Sequence, residues 1–340
     1  MKKILSLIVP LFFIFSIACH HTAEKKSKPG SADSLRFALE ELNKKIEKNS
    51  NDAELFNQRA GIYIALREIN QALNDVNKAI RLQPGKADYY STLSDVYLLL
   101  GQPQNCEESL QKALSVDPNN VAATLKLANL YLITKDYQKT YQYVVQVLTL
   151  DKANAPAHLT RALALLENGD TIHAIADLME AVKINQVYFE AYLQLAEIYS
   201  VRKDPLTAAF LNNALKIRPG NSSALYMLGM YYQETAQYDK AINTYEVLSR
   251  VDTLLKDAPY NIGYINLVYR QDYQTAIIYF TKAITRDPEY TEAWFNRGLS
   301  YEQTGDYRKA YNDYQKTLKM RVNYDKAVAG LNRLDKLMKK

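Results

Sequence analysis

The cysteine nearest the amino terminus has the surroundings of a lipid attachment site. Two lysines precede an apolar run from Ile4 to Ala18, and Cys19 follows directly. A basic start, a short apolar core and small residues before a cysteine are typical of a secretory signal whose cleavage leaves that thiol to carry lipid. We therefore expect residues 1–18 to be a signal peptide and Cys19 to be lipidated.

Two other interpretations of this segment stay open, an ordinary cleaved signal and an uncleaved anchor, although about fifteen apolar residues are short for spanning a bilayer. The segment also resembles the lipobox of bacterial lipoproteins, with Ser16 where leucine is usual. That resemblance implies a lipid anchor in the bacterial cell envelope, at the outer membrane, on its periplasmic or its surface side. Residues 19–33 are polar and basic without apolar periodicity, which predicts a flexible tether.

The remaining residues that could carry chemistry do not form a catalytic or metal-binding pattern. His20 and His21 lie in the tether, whereas His158 and His173 lack a cysteine, aspartate or second histidine at ligand spacing. No glycine-rich phosphate loop and no serine elbow are present in the sequence. Cys106 occupies a small-residue position and is expected to be a buried thiol. We expect no enzyme activity, catalytic residue, metal or cofactor.

The net charge argues against nucleic acid as a partner. The formal charge is +5, and it falls to +3 when Lys2 and Lys3 leave with the signal peptide. Nucleic-acid binding needs lysine and arginine clustered on one face, because phosphate contacts dominate its affinity. A nearly neutral chain of this length gives no electrostatic reason to expect a nucleic-acid partner.

An internal repeat of about thirty-four residues determines the elements that would position any site. Its clearest column holds small residues: Ala60, Ser94, Ala128, Ala162, Ala196, Gly229, Gly263 and Gly298. Regular self-similarity at this period indicates stacked units, because one unit alone cannot bury its apolar face. The array is therefore expected to work by binding.

A second small column follows about twelve residues later in each unit, from Ala72 in the first to Ala310 in the last. Four residues beyond it stand larger apolar side chains: Val76, Leu110, Val144, Leu178, Leu211, Tyr245, Phe280 and Tyr314. Steps of three and four keep these side chains on one helical face, and the small residues allow two helices to approach closely. Each unit is therefore predicted to be a helical hairpin.

These columns resemble the tetratricopeptide repeat, and the last full unit matches its pattern best, through Trp294, Gly298, Tyr301, Ala310 and Tyr314. The resemblance implies an all-α fold, a right-handed α-solenoid of about eight hairpins with capping helices at its amino and carboxyl ends. The units are expected over residues 53–324, with the capping segments at 34–52 and 325–340.

Two units depart from the regular length. The fifth lacks one residue near Asp204 and Pro205, and the seventh has one extra near Arg270 and Gln271. Both changes fall between the two small columns, so we expect them to alter the local pitch without breaking the array.

The predicted binding surface lies on the first helices of the sixth to eighth units, on the concave side of the stack. Large apolar and amide side chains occur there at positions where packing alone is not expected to require them: Tyr226, Met230, Asn261, Tyr264, Phe295 and Asn296. A few apolar anchors with amides that pair a peptide backbone would suit an extended or helical segment. The earlier units are polar and slightly acidic.

The function predicted from these observations is a non-catalytic, membrane-tethered scaffold that binds a partner protein or peptide during bacterial envelope assembly. Two alternatives stay open. The chain could be a glycan-binding or peptidoglycan-associated module, with groove aromatics as stacking platforms, or a regulatory subunit of an envelope enzyme.

Overall fold

The computed structural model describes residues 32–338, and all regular elements in that range are helices. The predicted signal peptide and Cys19 lie outside the described residues, so lipidation stays a prediction. Within residues 32–338, no helix combines the length and the apolar character that crossing a membrane requires. The predicted all-α fold is confirmed.

Sixteen helices of the described range pair into eight hairpins. Hairpins 1 to 8 are α2 and α3 (Ala53–Ala65, Ile69–Leu82), α4 and α5 (Ala87–Leu99, Pro103–Val116), α6 and α7 (Val121–Ile133, Tyr137–Leu150), α8 and α9 (Ala155–Glu167, Thr171–Ile184), α10 and α11 (Phe189–Ser200, Leu206–Ile217), α12 and α13 (Ser222–Glu234, Tyr238–Val251), α14 and α15 (Asp257–Ile265, Tyr273–Arg286), and α16 and α17 (Thr291–Gln303, Tyr307–Met320). A single helix, α1 (Ala32–Lys48), precedes them, and α18 (Asp325–Leu337) follows them.

The chain divides into two compact units, Met1–Pro118 and Asn119–Lys340. In the first unit, α1 packs on α2, and α3 contacts α4 of the next hairpin. In the second unit, the second helix of each hairpin contacts the first helix of the following one, and α17 contacts α18 in the same way. This nearest-neighbour stacking is how repeat arrays bury the faces that single hairpins cannot bury.

Each hairpin turn contains one residue with left-handed backbone geometry. These residues form a column of their own: Arg67, Gly101, Lys135, Gly169, Lys203, Ala236, Gln271 and Gly305. The second helix then begins after a capping residue in several hairpins. For example, the Asp136 carboxylate accepts the backbone N–H of Lys139 at 3.1 Å, which satisfies a donor left free at the helix start. Turn and cap together reverse the chain within a few residues.

The glycines of the first small column are explained by the rings that face them. In hairpins 1 to 5 the facing side chain is valine or leucine and the small residue is alanine or serine, whereas in hairpins 6 to 8 it is Tyr245, Phe280 or Tyr314 and the small residue is glycine. A Cβ atom added at Gly263 would lie 2.8 Å from Phe280 Cδ1, and one at Gly298 would lie 3.0 Å from Tyr314 Cδ1. An aromatic ring on the second helix therefore requires glycine on the first.

The extra residue of hairpin 7 is accommodated at the end of its first helix. The helix continues from Ile265 into a π-helical turn, Asn266–Arg270, and Gln271 then takes the left-handed conformation with φ 55°. A π-turn absorbs one inserted residue without shifting the helix that follows. In hairpin 5, where one residue is missing, α10 and α11 have 12 residues each.

Buried ion pairs join the two helices of three hairpins. Arg59 binds Asp75, Arg161 binds Asp177 and Arg297 binds Asp313, each arginine through its Nε and a terminal nitrogen. Two parallel nitrogen–oxygen contacts fix the orientation of the arginine and neutralise the charge of the aspartate. All three aspartates are buried, and the pairs recur at a fixed spacing of sixteen residues.

Candidate partner-binding surface

The predicted binding residues lie on the first helices of hairpins 6 to 8, within the second compact unit. Tyr226 and Met230 are on α12, Tyr264 is on α14, and all three side chains are half-buried. The Asn261 amide nitrogen of α14 lies 3.8 Å from the sulfur of Met230, which links the two helices. Half-buried aromatic and thioether side chains on adjacent helices leave apolar surface available to a partner.

Three of the predicted residues are more buried than the sequence suggested. Phe295 is 8% exposed, and its ring centroid lies 5.7 Å from that of Tyr314 and 5.1 Å from that of Tyr324. Asn261 and Asn296 are also buried. The expectation that packing does not need these side chains is wrong for all three, because each is enclosed by a neighbouring hairpin or by the segment before α18. In this structure Phe295 is a core residue and offers little surface to a partner.

A further tyrosine belongs to this surface, and the sequence analysis missed it. Tyr260 occupies the same position in hairpin 7 as Tyr226 in hairpin 6, three residues before the small glycine. Its ring lies 4.8 Å from that of Tyr290 and 6.3 Å from that of Tyr264. Its hydroxyl accepts a hydrogen bond of 2.9 Å from the Asn296 amide. The shared column position was the signal that could have identified it. We call Tyr226, Met230, Tyr260 and Tyr264 the tyrosine face.

A carboxylate lies beside the tyrosine face. Asp257, in the first turn of α14, accepts a hydrogen bond of 3.0 Å from the hydroxyl of Tyr290. Burial raises the pKa of Tyr226 and of Tyr290, and the negative charge of Asp257 raises both further. Burial likewise raises the pKa of Tyr260, with a smaller contribution from Glu292. The tyrosines are therefore neutral at physiological pH and keep their hydroxyl hydrogens for hydrogen bonds.

No group of three potential ligands among histidine, cysteine, aspartate and glutamate comes together between residues 32 and 338 in a way that could hold a metal ion. His158 instead lies in the core of hairpin 4, where its Nδ1 is 2.9 Å from Asp177, the aspartate that Arg161 also binds. Cys106 is buried in the second small column, where the sequence placed it.

The family models that match this chain all describe the tetratricopeptide repeat. One matches residues 291–324, a second matches 210–243, and a third matches 53–86, 87–120, 155–188 and 259–290. Together they cover more than half of the chain. The matches of the first and third models follow single hairpins, whereas the match of the second runs from within α11 to within α13. The chain belongs to the tetratricopeptide repeat family. The resemblance that the sequence columns indicated is confirmed, and none of these three models describes a catalytic family.

Sequence relatives of this tetratricopeptide repeat protein match over parts of the chain. The general transcriptional corepressor trfA of Dictyostelium discoideum is 30% identical over 108 residues, which are 30% of this chain and 7% of the corepressor. The uncharacterized protein ycf37 of Guillardia theta is 27% identical over 147 residues, 41% of this chain and 81% of that protein. The match to the corepressor spans a small part of its length, so its activity is not transferred to this chain.

Solved structures with similar helical repeats are more distant. The crystal structure of the APC/C hetero-tetramer Cut9-Hcn1 aligns with a TM-score of 0.46 at 17% identity, covering 89% of this chain and 59% of that chain. The first tetratricopeptide repeat domain of Spaghetti (RPAP3), bound to the HSP90 peptide SRMEEVD, aligns with a TM-score of 0.34 at 21% identity, covering 35% of this chain and 94% of that chain.

Proposed function

We propose that this tetratricopeptide repeat protein is a non-catalytic scaffold that binds a segment of a partner protein on the tyrosine face. The observation that carries the proposal is that Tyr226, Met230 and Tyr264 are half-buried on adjacent first helices, next to Tyr260. A few aromatic and thioether anchors usually supply most of the binding energy of a peptide interface. Buried Phe295, Asn261 and Asn296 are then supports that hold the anchors in place.

We further propose that the scaffold is held at a bacterial envelope membrane through lipid on Cys19. The support is the sequence alone: a basic start, an apolar run and a cysteine preceded by small residues. One acyl chain gives only reversible membrane binding, and two or more give stable attachment. Residues 19–33 would then separate the repeats from the membrane surface.

Site-specific photo-crosslinking in cells tests the binding surface. A photoreactive amino acid at Tyr264 should form crosslinks to a partner, and mass spectrometry should place them on one short segment of it. Ile172 on α9 is the matched control, because it is apolar and 80% exposed but lies in hairpin 4. Crosslinks from Ile172 to the same segment, or none from Tyr264, would contradict the proposal.

A glycan ligand is the second candidate, and one observation favours it. The rings of Tyr238 and Tyr269 stack with centroids 4.4 Å apart at the hairpin turns, and Tyr269 is 46% exposed. Tyr238 also lines a shallow depression together with Gln237, Asp239 and Arg270 of the π-turn. Stacked aromatics flanked by amide and acid groups suit a sugar ring. Binding of soluble muropeptides that is lost in Tyr269→Ala, with the crosslinking at Tyr264 absent, would favour this candidate.

A further inference from the structure

We infer that the partner segment carries a lysine or arginine side chain that lies against Asp257, with tyrosine rings beside its aliphatic stem. This inference rests on the proposed function, because it names the chemistry of the segment that the tyrosine face would bind. It is carried by a difference between hairpin 7 and two other hairpins of the same unit.

Hairpins 5, 7 and 8 each have a carboxylate in the first turn of their first helix, namely Glu190, Asp257 and Glu292. A carboxylate there interacts favourably with the helix dipole, so its presence alone does not indicate a ligand. In hairpins 5 and 8 an arginine neutralises it. Arg218 lies 2.8 Å from Glu190, and Arg321 lies 2.9 Å from Glu292.

Both arginines occupy the residue that directly follows the second helix of their hairpin. In hairpin 7 that position holds Asp287. The lysine next to the site, Lys256, pairs with Asp287 at 2.5 Å. The preceding Arg286 donates to backbone carbonyls, including that of Leu255 at 2.7 Å. Among residues 32–338, Asp257 therefore has no ion-pair partner, although its counterparts in hairpins 5 and 8 do.

The neighbours of Asp257 suit an organic cation. The hydroxyl of Tyr290 donates a hydrogen bond to the Asp257 carboxylate. Burial raises the pKa of Tyr226, and the nearby charge of Asp257 raises it further. The ring of Tyr260 lies against that of Tyr290. Carboxylates bind guanidinium and ammonium groups, and aromatic rings attract the same groups through their π faces. The Lys256 ammonium already lies 4.5 Å from the centroid of the Tyr290 ring, so the rings beside an added basic side chain are those of Tyr226 and Tyr260. A basic side chain would supply the charge that Arg218 and Arg321 supply to the other two hairpins.

Selection from a displayed library of random peptides on the full chain, purified in detergent, tests the inference. We expect recovered peptides to share a lysine or arginine next to an apolar residue. Asp257→Asn should weaken their binding about tenfold, the effect of losing roughly one favourable charge pair. Replacing the basic residue of the peptide by glutamine should weaken binding to the wild type by a similar factor and to Asp257→Asn hardly at all.

Glu190→Gln is the matched control. It removes one negative charge, as Asp257→Asn does, and it does so at the same position of hairpin 5. Its effect on the affinity should stay below about twofold, because an exposed, already paired charge contributes little. Asparagine at position 257 still accepts the Tyr290 hydroxyl, and helical content and thermal unfolding show whether the fold is retained.

The outcomes separate this inference from the proposed function. Peptides that need Met230 and Tyr264 but carry no basic residue, or that bind Asp257→Asn as well as the wild type, would overturn the inference and leave the proposed function intact. If no recovered peptide depends on Met230 and Tyr264, both fail. Recovery of acidic peptides would also refute the inference, because Asp257 would repel them.

Discussion

The pairing of glycine with an aromatic ring in hairpins 6 to 8 gives a prediction whose size follows from the structure. Gly263→Ala places a methyl group 2.8 Å from Cδ1, 2.9 Å from Cε1 and 3.1 Å from Cγ of Phe280. Comfortable carbon contacts are at about 3.5 to 4.0 Å. The Phe280 ring is fully buried and also packs on Tyr260, so it has little room to move.

Two opposing effects determine the free energy of unfolding of this variant. Alanine in a helix interior is favoured over glycine by about 1 kcal/mol. Overpacking a core costs about 1 to 3 kcal/mol. Gly263→Ala should therefore be neutral to destabilising by about 2 kcal/mol in the wild type. In a Phe280→Leu background, which reproduces the pairing found in hairpin 5, the clash is gone and the same change should stabilise the protein.

The measurement is a double-mutant cycle by urea unfolding, with hydrogen exchange to locate the change in α14 and α15, because repeat arrays need not unfold as one unit. We expect a coupling free energy of about 1 to 3 kcal/mol between the two positions. Gly61→Ala is the control: no atom of residues 32–338 lies within 4 Å of its Cβ position, so the variant should gain stability. Equal effects of Gly263→Ala in both backgrounds would refute the packing argument.

Four further predictions concern single positions. Among the residues that the structure describes, the buried hydroxyl of Thr207 finds no hydrogen-bond partner, whereas that of Thr140 in hairpin 3 donates to a backbone carbonyl at 3.0 Å. Thr207→Ala should therefore stabilise the protein by about 1 kcal/mol and Thr140→Ala should not, as measured by urea unfolding. Ala236 has φ 58°, so Ala236→Gly should raise stability by about 0.5 to 1 kcal/mol in the same assay, and a loss would contradict the left-handed turn. Burial raises the pKa of Asp177, but hydrogen bonds from its arginine and histidine partners outweigh that effect and hold the pKa below its ordinary 3.8. A carboxyl group whose pKa is lower in the folded state stabilises the fold when the pH is above its unfolded-state pKa, and this stabilisation is lost as the pH falls through its folded-state pKa. Asp177→Asn should therefore lower the free energy of unfolding at pH 7. In acid-unfolding curves, the difference in free energy from wild type should shrink below about pH 4. Cys19→Ala should leave the protein unprocessed or released from the membrane, and mass spectrometry that finds an unmodified mature Cys19 would exclude lipidation.

The sequence by itself was sufficient to predict the helical hairpins, because their determinants repeat locally. Small residues at a fixed spacing and apolar steps of three and four are both properties of one unit. Even the glycine requirement can be read from the chain, since glycine appears in the first small column wherever Tyr245, Phe280 or Tyr314 follows. The same logic applies to Tyr260, which shares a column with Tyr226.

Burial and side-chain pairing were decided only by the tertiary structure, because they depend on how each helix packs against its neighbours. Phe295 stands in the same column as Tyr226 and Tyr260, yet it is enclosed by Tyr314 and Tyr324 and becomes core. The π-turn that absorbs the extra residue of hairpin 7 likewise brings Tyr269 onto Tyr238 of the preceding hairpin. A column places a residue on a face of its own helix, but the helices and turns packed against that helix determine how much of the face remains open.

The position of Asp257 follows from the sequence, whereas its lack of an ion pair among residues 32–338 follows from the tertiary structure. Its place in the first turn of α14 is evident from the sequence, as are those of Glu190 and Glu292. Which of the three carboxylates is neutralised depends on which of them an arginine reaches. The two arginine–glutamate ion pairs join residues about thirty positions apart in the sequence. The sequence shows that arginine at positions 218 and 321 is replaced by aspartate at 287. That these arginines reach the first-turn carboxylates, and that Lys256 pairs with Asp287 instead, depends on the packed geometry of two helices.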